Sequence, residues 1–91
     1  MIRLSIEVEN NLGLHARAAA KLVQLASGFS SDIYLSRKDA NQKIDSKSIL
    51  GVLMLAASKG TCLAVSIDGN DELEAGEAIR KLFKSKFGEK E

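Results

Sequence analysis

The single imidazole of this 91-residue chain lies two positions from a guanidinium, in Gly13-Leu14-His15-Ala16-Arg17-Ala18. An alternating apolar run ends just before this segment and a helical pattern opens within it, so the pair falls at a helix N-terminus. Such an end carries unpaired backbone N–H groups and roughly half a positive charge. It binds anions, phosphate above all. The same field favours a neutral ring, with one nitrogen free to act as a nucleophile. A phosphoryl group on that nitrogen would face the backbone amides of Ala16 and Arg17 and the Arg17 guanidinium. A lone His can equally be a packing residue, and an Arg in a first helical turn is by default a solvated charge. However, a cation at the positive end of a helix costs roughly a few tenths of a kcal/mol unless something anionic visits.

The elements that hold this segment show as changes of period. Ile2, Leu4, Ile6 and Val8 alternate with Arg3, Ser5, Glu7 and Glu9, the pattern of a half-buried strand, and Asn10, Asn11 and Gly13 break it. Ala19, Leu22, Val23 and Ala26 then fall on one face of a helix that opens at Ala16 and stops at Gly28. Ile33-Tyr34-Leu35-Ser36 predicts a second strand, Asp39-Ala40-Asn41 a turn, and Gln42-Lys43-Ile44 a third strand. Asp45-Ser46-Lys47-Ser48 is rich in capping side chains and precedes an apolar run from Ile49 to Leu55, a second helix.

Lys59-Gly60 closes that run, and Leu63, Val65 and Ile67 mark a fourth strand with Cys62 as a small packing residue at its start. After the turn Asp68-Gly69-Asn70, acids at Asp71, Glu72, Glu74 and Glu77 lead to bases at Arg80, Lys81, Lys84 and Lys86, complementing a helix dipole. Leu73, Ile79, Leu82 and Phe83 are its expected buried stripe, and residues 88–91 its frayed tail. The order β-α-β-β-α-β-α predicts an α+β fold, a two-layer open-faced sandwich with three helices on one sheet face. Residues 1–91 make one domain.

Composition narrows the function. Hydrophobic residues at 45% and charged residues at 27% are ordinary for a globular domain. A net charge of +1, with one Tyr, three Phe and no Trp, offers neither a broad grip on nucleic acid nor a base-stacking platform. One Cys and one His cannot form a disulfide or a zinc site within the chain, and no cofactor is expected. There is no apolar run of about 18 residues and no basic-then-apolar leader, so a cytoplasmic monomer without membrane insertion is expected.

Gly13-Leu14-His15-Ala16-Arg17, placed after a first strand and opening a helix, is similar to the active-site motif of the HPr family. These are the histidine-containing phosphocarriers of the bacterial phosphoenolpyruvate-dependent phosphotransferase system. Lys47-Ser48-Ile49-Leu50-Gly51-Val52 resembles the stretch around the family's regulatory serine, and Lys59-Gly60-Thr61 is a third match. The resemblance covers essentially the whole chain and implies a four-stranded antiparallel sheet. It implies a phosphocarrier rather than an enzyme acting on a small molecule. Enzyme I would phosphorylate Nδ1 of His15, and the group would pass to a histidine of a IIA protein. Arg17 would neutralise the migrating charge, aided by the Ala16 and Arg17 amides. Ile49, Leu50 and Leu53 would form the docking patch. An HPr kinase/phosphorylase, where the host has one, would act on Ser48. Ala18 departs from the family, which usually has Pro there; Ala keeps the helix but leaves its first turn less rigid.

Other readings remain open. The Ala-rich first helix equally suits a carrier of the nitrogen-related branch of the phosphotransferase system. A small acyl-phosphate hydrolase on a similar sandwich would use Arg17 with an Asn to position water, here Asn41, and would leave His15 idle.

Overall fold

The computed structural model describes residues 1–89. Four strands, β1 (Ile2–Glu7), β2 (Asp32–Arg37), β3 (Ile44–Asp45) and β4 (Cys62–Asp68), form one antiparallel sheet in the order β1-β4-β2-β3. Three helices, α1 (Ala16–Ser27), α2 (Ile49–Met54) and α3 (Glu72–Lys84), cover one face, and a 3-10 turn (Lys86–Gly88) follows. The α+β open-faced sandwich and its β-α-β-β-α-β-α order are thus as the sequence predicts.

The central strand shows why the faces segregate. Leu63, Val65 and Ile67 of β4 are buried, and register pairs Leu4 with Val65 on one side and Leu35 with Val65 on the other. The side-chain period of two then sends Arg3, Ser5, Tyr34 and Ser66 to the open face. Against the inner face pack Ala18, Ala19, Leu22 and Ala26 of α1, Val52 of α2, and Ala75, Ile79 and Phe83 of α3.

Some expectations fail for physical reasons. Cys62 is exposed, because the alternation that buries Leu63 turns its neighbour outward. Leu73, expected in the stripe of α3, is 68% exposed, and Leu82 is only half-buried. Ahead of Ile79 and Phe83 the buried positions of that face are the small Ala75 and Gly76: a Cβ on Gly76 would stand 3.0 Å from Ile2 Cδ1, so its absence lets α3 lie close on β1. The third strand is Ile44–Asp45, without Gln42 and Lys43. Gly28 does close α1: its N–H donates to the Leu25 carbonyl at 3.1 Å, and the N–H of Phe29 donates to the Ala26 carbonyl at 3.1 Å.

The tail also differs from expectation. The backbone turns left-handed at Lys86 (φ 56°) and Phe87 (φ 58°), and the Phe87 ring is buried edge-on against Phe83 at 4.9 Å. Lys21 Nζ donates to the Phe87 carbonyl at 2.6 Å. Gly88 and Glu89, expected to fray, are held by these contacts and by those of the Glu89 side chain. Residues 90 and 91 of the expected tail lie outside the described residues.

Candidate functional site

His15 is the N-cap of α1, with extended backbone (φ −75°, ψ 178°), and its carbonyl accepts the first helical bond from Ala19 N at 2.8 Å. The loop before it is tightly built. Asn10, fully buried, accepts from Gly13 N at 3.1 Å through its carbonyl and donates from Nδ2 to the Gly13 carbonyl at 2.8 Å. Gly13 takes φ 67°, and a Cβ there would fall 2.5 Å from the Ala57 carbonyl oxygen. Only glycine fits both demands. Leu14 donates its N–H to that same carbonyl at 2.8 Å and buries its side chain. One side of the loop is therefore anchored in the core while the next residue, His15, stays partly open, its side chain 26% exposed.

No side chain caps α1, and its first turn holds no acidic residue. Ala16 and Arg17 are exposed, whereas Ala18 is buried. The N–H groups of that turn have no partner within the helix, and positive potential at this end is uncompensated by the helix's own side chains. A fourth participant was not legible in the chain. The Glu89 carboxylate contacts His15 Nε2 through Oε2 and accepts from Asn10 Nδ2 at 3.1 Å through Oε1. The His15 hydrogen bond, that from Asn10, and the charges of His15 and Arg17 hold the Glu89 carboxyl below the usual range, against the opposing effect of burial.

The second motif segment separates its two serines. Ser48 is the N-cap of α2, its exposed Oγ accepting from Gly51 N at 3.1 Å. Ser46 is no cap: it is fully buried and its Oγ donates to the Ile33 carbonyl at 2.9 Å, stitching β3 to β2. Ile49, Leu50 and Leu53 are exposed at 40%, 70% and 36%, joined by Met54 and Leu12 at 70% and 67%. The loop that follows α2 carries Ala57, which the Gly13–Leu14 turn touches. The apolar surface therefore borders the His15 loop. Asn41 sits on the exposed loop between β2 and β3, and no hydrogen bond or ion pair joins it to Arg17 among the described residues. No three His, Cys, Asp or Glu side chains among the described residues could together hold a metal ion. None of the described helices is long and apolar enough to cross a membrane.

Fold and site together define a class: a small open-faced α+β sandwich that presents a histidine at a helix N-terminus. The chain belongs to the HPr family of phosphocarriers of the phosphotransferase system, whose model, described as the PTS HPr component phosphorylation site, matches residues 2–85. It is 46% identical to the phosphocarrier protein HPr of Neisseria meningitidis over 91 residues, covering 100% of both chains. A crystal structure of HPr from Thermoanaerobacter tengcongensis superposes with a TM-score of 0.93 at 45% identity, with 100% of both chains covered. The phosphocarrier protein NPr of Escherichia coli is 38% identical, covering 97% of both chains.

Proposed function

We propose that His15 accepts a phosphoryl group from the phosphohistidine of Enzyme I and passes it to a histidine of a sugar-specific or regulatory IIA protein, in the cytoplasm. The observation that carries this reading is the partly exposed His15 ring at a helix start whose first turn has no acid or side-chain cap of its own. In each transfer a ring nitrogen lone pair forms the new N–P bond as the donor's P–N bond breaks, and that electron pair returns to the donor imidazole. Arg17 and the Ala16 and Arg17 amides offset the charge of the moving group; most of the work is positioning and electrostatic stabilisation. Because the group must leave again, it is held only moderately. Ile49, Leu50 and Leu53 would meet the partner over a small, transient interface.

Incubation with phosphoenolpyruvate and Enzyme I, followed by intact mass measurement, tests the assignment. One added phosphate, labile in acid and stable in base, is expected on the wild-type chain and none on His15→Ala. Phosphate on His15→Ala would refute it.

The greater identity to HPr than to NPr favours service to a sugar-type IIA over a nitrogen-related one. Parallel transfer assays to each type of IIA decide between them.

Ser48 is the proposed regulatory site, for a kinase/phosphorylase if one is present. A phosphate there adds about −1.5 to −2 charges to an apolar surface, so Ser48→Asp slows transfer from Enzyme I and leaves the Tm nearly unchanged. Equal rates for Ser48→Asp and wild type would make the serine a cap only.

A further inference from the structure

Glu89 lies 74 residues from His15 in sequence, yet its carboxylate meets the ring at Nε2. From this contact we infer that Glu89 is a positioning residue: it holds the His15 proton on Nε2 and so makes Nδ1 the nucleophile. The inference deepens the reading of His15 as phosphoryl acceptor and rests on it. An ionised carboxylate has no proton to give and can only accept. Facing it, Nε2 must donate, and in the neutral ring the lone pair is then on Nδ1.

The surroundings fix the carboxylate in this role. Asn10 Nδ2 directs its N–H groups to the Gly13 carbonyl at 2.8 Å and to Glu89 Oε1 at 3.1 Å. Turning the amide over would set its oxygen against the Gly13 carbonyl, so the donor side is locked toward Glu89. That orientation leaves the buried Asn10 Oδ1 without a partner among the described residues, a real energetic cost accepted to aim both N–H groups. The chain reaches this point only through the left-handed turn at Lys86 and Phe87, a conformation non-glycine residues keep when packing over-determines it. Burial of the Phe87 ring and the Lys21 bond to the Phe87 carbonyl supply that packing.

The chemistry follows from the proton's place. When the Nδ1 lone pair attacks phosphorus, the donor's P–N bond breaks and its electrons return to the donor ring. The accepting ring gains positive charge while its proton stays on Nε2, directly against the Glu89 carboxylate. Glu89 therefore both selects the attacking nitrogen and offsets charge that grows during transfer, as the carboxylate of a catalytic triad does for its histidine.

Satisfiability makes the test sharp. In Glu89→Gln the amide oxygen must face the Asn10 Nδ2 donor, which turns the new NH₂ toward His15 Nε2 and drives the ring proton to Nδ1. Glu89→Ala merely releases the preference. Nitrogen-15 NMR of the single imidazole in the unphosphorylated full chain reads this directly. Wild type is expected to show pyridine-like Nδ1 and pyrrole-like Nε2, Glu89→Gln the reverse, and Glu89→Ala a mixture. Transfer from phospho-Enzyme I should slow about 10–100-fold in Glu89→Ala, and further in Glu89→Gln although Gln is the closer isostere. A docked tail with only a structural role would give the opposite order. Wild-type tautomer and transfer rate in both variants, with His15 still phosphorylated, would overturn the inference and leave the acceptor assignment standing. A wild-type chain that takes no phosphate would instead overturn the acceptor assignment, a failure that the spectra of the free chain tell apart.

Discussion

At the start of α3 the Asp71 carboxylate accepts from the N–H of Ser30 at 2.8 Å, from the N–H of Ser31 at 3.0 Å and from the Ser31 hydroxyl. Glu72 accepts from Gly69 N at 3.1 Å, and Glu72 and Glu74 fill the first turn with negative charge. The first turn of α1 has no acid of its own and no capping side chain, and Arg17 adds a positive charge where the dipole disfavours it; the carboxylate that reaches this end, Glu89, comes from the tail and is bonded to His15 and Asn10. Both helices bury a stripe against the same sheet, so packing does not demand the difference. Acids that neutralise a helix end are a structural solution. An end whose own first turn carries no acid, with a cation in that turn and an imidazole in front, suits an anion that comes and goes.

The largest expected effect of a substitution at the α1 end falls on stability. Phe87→Ala removes a buried ring and should cost about 3–5 kcal/mol, read as a lower denaturant midpoint, while also loosening the tail that carries Glu89. A loss below about 1 kcal/mol would mean that the tail is not docked as described.

Arg17→Ala should act the other way round. Transfer from phospho-Enzyme I slows about 10²-fold, the scale of losing one charge-stabilising donor, while stability changes by no more than about 0.5 kcal/mol. Arg17→Lys, which keeps the charge but not the planar fork of donors, falls between. Unchanged transfer in Arg17→Ala would remove the guanidinium from the account and weaken the contrast between the two ends.

At the other helix the effect should be confined to stability. The Ser31 hydroxyl, with the Ser30 and Ser31 N–H groups, lowers the Asp71 pKa to about 2. A carboxyl whose folded pKa is depressed stabilises the fold above its unfolded pKa of about 4 and loses that contribution as pH falls toward about 2. Wild type should therefore weaken over this window, and Asp71→Asn should lack that part of the acid limb. At neutral pH Asp71→Asn lowers the Tm and leaves transfer to His15 unchanged; slowed transfer there would break the division of labour between the two ends.

How far the sequence reveals these features depends on how local their causes are. The alternation through Ile2, Leu4, Ile6 and Val8 and the spacing of Ala19, Leu22 and Ala26 state their elements outright, because each rests on a single period. His15 and Arg17 are legible for a similar reason: their chemistry depends on the helix end they occupy. Leu73 misleads because a helix lying close to a strand seats small residues at the contact, so Gly76 and Ala75 take the place that large side chains seem to claim. Ser46 and Ser48 look alike in the chain, and only the pairing of β3 with β2 tells the buried one from the cap. Glu89 leaves no local signal, since its role depends on a left-handed turn two residues earlier and on an Asn at the far end of the chain.

Amide NMR of the phosphorylated chain tests the central claim most directly. With phosphate on His15, the largest amide proton shifts should fall on Ala16, Arg17 and Ala18, moving downfield as their N–H groups meet the new oxygens, while Glu72, Leu73 and Glu74 of α3 stay in place. Phosphate found on another residue, or a phosphorylated His15 with unmoved first-turn amides in α1, would contradict the account.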